Sequence, residues 1–186
     1  MTRPASGTRE RIQDVARNLF VEKGVQRTSL QDIAAQLGIT KPALYYHFSS
    51  REELVRSILA PVIEEGEKFI VDQETRASTD PASPPRTPGS YFDFIFRHRT
   101  DLILAVSEMT TLADLGLVDK VLGGWQKRLC TLVFGPRPTL EQATRGVIAF
   151  GGMQDCCLQF PPDTAPKRLR QVTVAGALAA LGVPDA

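Results

Sequence analysis

Four side chains that donate hydrogen bonds crowd into one short stretch of the sequence. Lys41, Tyr45, Tyr46 and His47 lie within seven residues of one another, and a helix made only for packing does not need so many donors. Their ammonium, phenol and imidazole groups suit a partner with many acceptor oxygens, such as the phosphates and base edges of DNA. The stretch is therefore the first candidate for a functional surface.

The sequence offers little for catalysis or metal binding. Only His47 and His98 are available as bases for a serine nucleophile, and the motif Gly-x-Ser-x-Gly is absent. The adjacent Cys156 and Cys157 cannot comfortably ligate one zinc ion from a single helix face. We therefore predict no enzyme, no metal site and no cofactor.

Two short helices joined by a glycine turn are predicted to carry the donors. In the first, apolar residues recur at the i, i+3, i+4, i+7 spacing of one helix face, namely Leu30, Ile33, Ala34 and Leu37. Gly38 suits the left-handed backbone that follows a helix, Thr40 is a good N-cap, and Pro42 fits a first turn. This pattern is a helix-turn-helix, whose second helix enters the DNA major groove. A helical hairpin that never touches DNA shares the periodicity, and the donors are what favour DNA.

A further helix is predicted before this motif, from Thr8 as N-cap to Gly24. Its apolar face, against which the helix-turn-helix should pack, consists of Ile12, Val15, Ala16, Leu19 and Phe20. Thr28 or Ser29 is expected to cap the next helix, and either hydroxyl is also available to a phosphate.

The segment IAAQLGITKPALYYHFSSREELV resembles the DNA-binding signature of the TetR family of one-component transcriptional regulators. The resemblance covers roughly residues 8–60, and beyond it only the helical layout agrees. It implies an all-α protein with an N-terminal three-helix DNA-binding domain (1–50) and a helical ligand-binding and dimerisation domain (51–186). The implied function is a homodimeric regulator, a repressor that a small-molecule effector releases from a pseudo-palindromic operator in double-stranded DNA.

The resemblance also implies contacts for individual residues. Thr40 and Tyr45 fall where the family meets DNA phosphates, and Arg51 falls where the family usually has a lysine near a phosphate. Leu44 and Phe48 fit the packed face of the second helix.

Base contacts are implied for Lys41 and Ala43, and for Gln31 in the preceding helix. Tyr46 and His47 fall at positions that contact the DNA backbone. With the two candidate capping hydroxyls, the predicted DNA-binding set is Thr28, Ser29, Gln31, Thr40, Lys41, Ala43, Tyr45, Tyr46, His47 and Arg51.

Composition fits this interpretation weakly. The 186 residues carry a net charge of +1 and 42% are hydrophobic, so the chain can bury a core. Residues 1–60 hold nine Lys/Arg against six Asp/Glu, whereas the remainder is net negative, an asymmetry of the sign that DNA binding needs. Without a signal peptide or long apolar span, we expect a cytoplasmic protein that does not enter a membrane. The three cysteines are expected to be small core residues in a reducing compartment.

After residue 50 the sequence continues to read as helical. A long helix from Ser50 toward Ile70 should be kinked at Pro61. The proline-rich segment Ala77–Gly89 is predicted to be an exposed loop, with a linker between independent domains as the alternative. Later helices are predicted from Ser90, over Leu102–Thr111, over Leu117–Phe134, from Thr139 to about Gln159, and from Asp163 or Thr164 to Gly182. Gln142 stands in capping-box register with Thr139.

Small residues on the last two helices predict a dimer interface, because they allow close helix approach. The predicted set is Gly146, Ala149, Gly152, Cys156, Val172, Ala175 and Ala179. The alternative is that these residues pack inside one subunit.

Large apolar side chains in the same domain predict a ligand pocket, since pockets are mostly apolar with few polar anchors. The candidates are Phe92, Phe96, Met109, Trp125, Gln126, Phe150, Met153 and Gln154. Ordinary core packing is the alternative for each of them. No cluster of basic residues stands out, so the expected effector is uncharged or cationic and apolar.

Two other functions stay open at this point. The chain is either the same DNA-binding regulator without a ligand or acting as an activator, or a helical interaction module that binds no DNA.

Overall fold

The computed structural model describes residues 7–79, 87–108, 113, 124–160 and 164–182. Regular structure in this part of the chain is helical throughout, which confirms the prediction of an all-α fold. The helices are α1 (Thr8–Lys23), α2 (Leu30–Leu37), α3 (Lys41–His47), α4 (Arg51–Thr79), α5 (Thr87–Arg97), α6 (Arg99–Ser107), α7 (Trp125–Phe134), α8 (Leu140–Gly146), α9 (Gly152–Gln159) and α10 (Pro166–Leu181), with a π-helical segment, Val147–Gly151, between α8 and α9.

Local signals set the ends of α2 and α3 as predicted. Ser29 accepts a hydrogen bond from the amide of Asp32, and the Asp32 side chain accepts one from the Ser29 amide, which completes a capping box. Gly38 ends α2 at φ 65°, a left-handed conformation that favours glycine. Thr40 caps α3 through the amide of Ala43. The cap of α1 differs, because Gly7 occupies the N-cap position without a side-chain bond and Thr8 is already helical.

The long helix α4 extends to Thr79, well past the predicted end. Pro61 lies inside α4 without ending it, and the kink predicted there stays a prediction. The loop predicted over Ala77–Gly89 is wrong at both ends, because residues 77–79 belong to α4 and residues 87–89 to α5. Hydroxyl groups at the end of α4 donate to the carbonyls one turn back, as Ser78 does to Glu74 at 2.9 Å, and so remain compatible with a helix. Pro88 is tolerated because it lies in the first turn of α5.

Several predicted ends in the C-terminal half are adjusted. α6 ends at Ser107 instead of Thr111, and the described part of the helix predicted from Leu117 begins at Trp125. Thr139 and Gln142 form the predicted capping box of α8. The N-cap of α10 is Ala165 with Pro166 next, so neither Asp163 nor Thr164 caps this helix. Residues 161–163 themselves lie outside the described residues.

The apolar core runs without interruption from α1 to α10. α5 packs against α9 and α10, and its residues Tyr91, Phe92 and Ile95 are at most 2% exposed. The ring of Phe94, also in α5, stacks on that of Phe69 in α4, with centroids 5.3 Å apart. The N-terminal and C-terminal parts of the chain therefore share one core through α4.

Polar contacts also join the two parts. Arg17 Nε of α1 donates to Asp101 Oδ1 of α6 at 2.6 Å, and Gln13 Nε2 of α1 donates to Ser57 Oγ of α4 at 3.0 Å. α1 is thus connected to two helices of the second predicted domain. The boundary at residue 50 stays a prediction.

Candidate nucleic-acid interface

The short helix α3 turns one side to the core and the other to solvent. Leu44 and Phe48 are fully buried, which confirms the predicted packed face. Tyr45 and Tyr46 are 44% and 86% exposed. At this exposure Tyr46 is not packed against α1. Thr40, Lys41 and Ala43 are exposed and His47 is half-buried.

A concave surface brings residues of α2, α3 and the start of α4 together. Its cavity measures about 380 Å³ and is lined by polar and charged side chains. Six residues of the predicted DNA-binding set border it, namely Thr28, Ser29, Gln31, Lys41, Tyr45 and Arg51. Residues separated by more than twenty positions in the sequence therefore share one face.

Thr28 borders this surface, but the residue is only 1% exposed. Its hydroxyl donates to the carbonyl of Gly24 at 2.9 Å, in the turn that follows α1. The hydroxyl is therefore buried and already bonded within the turn, which leaves it no exposed surface for the predicted phosphate contact. The sequence offered Thr28 and Ser29 as equivalent candidates. In the structure Thr28 is buried in the core, whereas Ser29 caps α2.

Ser29 is exposed, but its hydroxyl is engaged within the capping box. Its Oγ donates to Asp32 Oδ2 at 2.6 Å. The hydrogen bonds from the Ser29 side chain and amide lower the pKa of the Asp32 carboxyl. Asp32 is therefore ionised at neutral pH beside the positive N-terminus of α2, where a negative charge stabilises the helix.

Arg51 faces the loop between α1 and α2 instead of pointing freely to solvent. Its Nη1 lies 3.2 Å from the carbonyl of Val25 and 3.3 Å from that of Gln26, and its Nη2 donates to Gln26 Oε1 at 3.0 Å. The structure thus gives the guanidinium an internal role that the sequence did not predict. Its proposed phosphate contact requires the remaining N–H groups.

Lys41 and Tyr45 occupy one side of α3. Lys41 Nζ lies 5.6 Å from the centroid of the Tyr45 ring, so the ammonium group and the phenol are presented together. Tyr46 and His47 contact each other edge to face, with ring centroids 5.3 Å apart. The donors form two adjacent pairs along the exposed side of the helix.

Two residues at the end of α3 were missed by sequence reasoning. Arg9 Nη1 of α1 donates to the carbonyl of His47 at 2.6 Å. Glu53 Oε2 of α4 accepts from Ser49 N at 2.8 Å and from Ser49 Oγ at 2.7 Å, which lowers the pKa of its carboxyl. The hydroxyl of Ser50 accepts a hydrogen bond from the Glu53 amide at 3.0 Å. The Arg9 contact spans 38 positions, and no spacing rule finds such a pair.

The side chains predicted to hold a ligand lie mostly in the core. Phe92, Trp125, Phe150 and Met153 are at most 3% exposed. Phe96 is half-buried, with its ring stacked on that of Phe92. Met109 lies outside the described residues.

Trp125 lies against Gly66 of α4, so closely that a Cβ atom on Gly66 would be 2.1 Å from its Cζ2. The structure therefore assigns Trp125 to core packing.

The predicted polar anchors bond to one another. Gln154 is 6% exposed, and its Oε1 accepts hydrogen bonds from Tyr91 Oη at 3.1 Å and from Gln126 Nε2 at 2.9 Å. Gln126 and Gln154, the two polar side chains predicted to hold a ligand, are thus bonded to each other.

Basic residues that are scattered in the sequence meet in a groove between α4 and α5. This open groove measures about 460 Å³, and Lys68, Arg76 and Arg97 line it together with Glu65, Asp72 and Asp93. Asp93 is already paired with Arg170 Nε at 2.7 Å. The groove therefore carries as many carboxylates as cations, and it does not contradict the expectation that no basic cluster stands out in this domain.

The small residues predicted at a dimer interface fall into two groups. Gly146 is buried, and a Cβ atom there would lie 2.6 Å from Cys130 Sγ, so it packs inside the subunit. Ala149 is 2% exposed. Gly152 has open space around it, and Cys156 is half-buried.

On α10, Val172, Ala175 and Ala179 are exposed. Gly152, Cys156 and Val172 line an apolar groove of about 350 Å³ between α9 and α10. Burial raises the pKa of the neighbouring Cys157 thiol to about 12, as expected for a core cysteine.

Comparison with known proteins gives a sequence match for the N-terminal part of the chain and a match of the fold for nearly all of it. Fold and surface define an all-helical protein with an N-terminal helix-turn-helix. Residues 12–58 match the family described as bacterial regulatory proteins, tetR family. The chain therefore carries the DNA-binding domain of the TetR family, which confirms the resemblance seen in the sequence. This family consists of transcriptional regulators, not enzymes.

Individual relatives match over the same limited extent. The HTH-type transcriptional regulator TtgR of Pseudomonas putida is 36% identical over 77 residues, which are 41% of this chain and 37% of TtgR. The HTH-type transcriptional repressor KstR2 of Rhodococcus jostii is 44% identical over 54 residues, 29% of this chain and 26% of the relative. The chain thus spans well under half the length of these relatives.

The fold extends further than the sequence similarity. The ketosteroid transcriptional regulator KstR2 of Mycobacterium tuberculosis superimposes with a TM-score of 0.71 at 20% identity, covering 96% of this chain and 95% of the other. Among the described residues, no helix is long and apolar enough to cross a membrane.

Proposed function

We propose that the chain is a homodimeric DNA-binding transcriptional repressor that a small molecule releases from its operator. The observation that supports this most is the surface of α3, where Lys41, Tyr45 and Tyr46 face solvent while Leu44 and Phe48 are fully buried. A helix held by its apolar side and covered with donors on the other can enter the major groove.

Distinct roles are proposed for the side chains of this surface. Lys41, at the first position of α3, reads the base edge of a guanine, whose N7 and O6 are both acceptors. Tyr45 and Thr40 donate to phosphates and fix the position of the helix on the duplex. Gln31 and Ala43 contact bases, whereas Tyr46, His47 and Arg51 contact the backbone of the DNA.

The apolar groove between α9 and α10 supports a dimer through that face. Ile148 and Val172 beside it are 59% and 47% exposed, and Phe160 is 49% exposed. Two copies that pair here would cover these side chains and form a four-helix interface. Its symmetry would then match a pseudo-palindromic operator with one recognition helix for each half-site.

Release requires an effector whose binding is coupled to DNA binding. The two ligands oppose each other through one coupling free energy, typically about 1–3 kcal/mol, which acts equally in both directions. α4 is the proposed connection, because it starts beside α3 and ends in the C-terminal part of the chain. An effector then has to favour a dimer whose recognition helices no longer match the spacing of the half-sites.

Selection of binding sites from random duplexes tests the proposal. We expect an enriched site with two inverted half-sites, about 10 base pairs or a multiple of that apart. A small-molecule screen against this duplex should find a compound that weakens binding, and the duplex should weaken binding of that compound by the same factor. Failure to enrich any duplex above the random pool would contradict the DNA-binding function.

A further inference from the structure

Arg9 of α1 makes three contacts around the C-terminal end of the recognition helix. Its Nη1 donates to the carbonyl of His47 at 2.6 Å, its guanidinium lies 4.1 Å from the centroid of the Phe48 ring, and its Nη2 lies 3.9 Å from Glu53 Oε1. α3 has only seven residues, and Leu44 is its one buried residue. The helix thus depends on neighbours for its orientation.

Each contact meets a different need at this end of α3. The last carbonyls of a helix have no amide partner, and a cation placed there also complements the negative end of the helix dipole. The guanidinium lies over the ring of Phe48, which is fully buried. Glu53 is in turn bonded to Ser49, in the corner between α3 and α4. One side chain therefore links α1 to both helices that meet at this corner.

We propose that Arg9 is a positioning residue for DNA recognition. It fixes the orientation of α3 through these three contacts and does not contact a phosphate itself. Lys41, Tyr45 and Tyr46 all project from α3, so a small rotation of this helix displaces all three together. This inference rests on the proposed DNA-binding function.

The salt dependence of DNA affinity distinguishes positioning from direct contact. A residue that neutralises a phosphate contributes to the slope of log affinity against log salt, and its loss lowers the slope by about one. Arg9→Gln should weaken binding of the selected duplex roughly tenfold, as for loss of a charged hydrogen bond, at every salt concentration and without a change of slope.

Arg11→Gln is the matched control. Arg11 is exposed on the same helix, and within the described part of the chain its side chain makes no hydrogen bond or ion pair. Both variants remove one positive charge near the start of α1. A loss of DNA affinity common to both variants is due to the lost charge alone. Any additional loss in Arg9→Gln is due to the contacts of Arg9.

A second measurement uses the full chain without DNA. Amide hydrogen exchange over residues 41–49 should be faster in Arg9→Gln than in the wild type, and unchanged in Arg11→Gln. Arg9→Lys should recover part of both the affinity and the protection, because an ammonium reaches the carbonyl but lacks the planar fork. If thermal melts show that Arg9→Gln is unfolded, affinity and amide exchange are compared between Arg9→Lys and the wild type instead.

Three outcomes would overturn the proposal. A slope lowered by about one makes Arg9 a phosphate ligand. Unchanged exchange over residues 41–49 shows that Arg9 does not hold α3. Equal loss of affinity in Arg9→Gln and Arg11→Gln shows that only charge matters. A wild-type chain that binds no duplex instead refutes the proposed function, and that result is read before any variant is compared.

Discussion

The DNA-binding part and the C-terminal part of this chain differ in how well the type of a residue predicts whether it lies at the surface or in the core. In the first, most of the predicted contacts face solvent, and Tyr46 is 86% exposed. In the second, most of the described candidates are buried, and Trp125 is 3% exposed. Donors on a short capped helix indicate a surface, whereas large apolar side chains fit a core and a pocket equally well. Residue type is therefore informative in one region and ambiguous in the other.

The two regions should differ most in the unfolding free energy that is lost when an aromatic ring is removed from each. Trp125→Ala removes the ring that fills the space over Gly66, and we expect it to cost about 3–5 kcal/mol of unfolding free energy. Tyr46→Ala should change stability by less than about 0.5 kcal/mol, because the ring is exposed. Chemical denaturation of both variants measures the two values. A stable Trp125→Ala protein that loses only its response to an effector would restore the pocket interpretation.

Two glycines offer the next contrast, between packing within one subunit and packing between subunits. Gly146→Leu should destabilise the subunit by about 1–3 kcal/mol, because Cys130 occupies the space that the new side chain needs. Gly152→Leu meets open space and should leave the subunit folded, but it should obstruct a partner at the α9–α10 groove. Light scattering together with thermal melts separates these effects. A Gly152→Leu protein that remains fully dimeric would place the interface elsewhere.

Within the DNA-binding surface, the expected contrast is between specificity and affinity. Lys41→Ala should remove about 1–3 kcal/mol of preference at one base step while leaving binding to random duplexes less affected. Tyr45→Phe should weaken all duplexes about equally, since a phosphate contact carries no sequence information. Competition binding with selected and random duplexes measures both. Equal loss on both duplexes in Lys41→Ala would make Lys41 a phosphate ligand.

The smallest expected effect concerns acid. Hydrogen bonds from Ser29 and Ser49 lower the pKa values of Asp32 and Glu53 respectively. A pKa that is lower in the folded state stabilises the fold above the ordinary carboxyl pKa of about 4, and this stabilisation is lost as pH falls through the folded values.

We therefore expect the helix-turn-helix to lose stability below about pH 4 as its caps are protonated. Asp32→Asn should reduce the pH dependence of the melting temperature in this range. Asp72→Asn serves as its control, because Asp72 is exposed on α4 and its carboxylate makes no hydrogen bond or ion pair within the described residues. Equal pH dependence in Asp32→Asn and the wild type would contradict this explanation.

The sequence predicted elements best where the signal is local. The Ser29 cap, the Gly38 turn and the capping box of Thr139 and Gln142 each involve residues at most a few positions apart, and all three are present. Pro88 and the Ser and Thr residues near it were interpreted as a loop, because their composition does not show which of them bond one turn back. Local spacing therefore fixes helix starts better than helix ends.

The candidate site could be predicted only in part, for the same reason. Thr28 and Ser29 are neighbours of similar chemistry, and only the packing of α1 against α2 determines which hydroxyl is buried. Arg9 and Arg51 reach carbonyls 38 and 26 positions away. Such contacts follow from how helices are arranged in space, which periodicity along one helix does not specify.

The close approach of Gly66 to Trp125 marks the point about which we expect α4 to rotate. α4 has 29 residues, so it is about 43 Å long, and Gly66 lies about 22 Å from its first residue. The indole of Trp125 occupies the space where a side chain at position 66 would lie. A tilt of α4 by about 5° around this contact moves the start of the helix by about 2 Å. That displacement exceeds the range over which a hydrogen bond keeps its strength. In a symmetric pair the separation of the two recognition helices would change by about twice as much. A rotation too small to disturb the core would then suffice to move both helices out of register with the grooves of DNA.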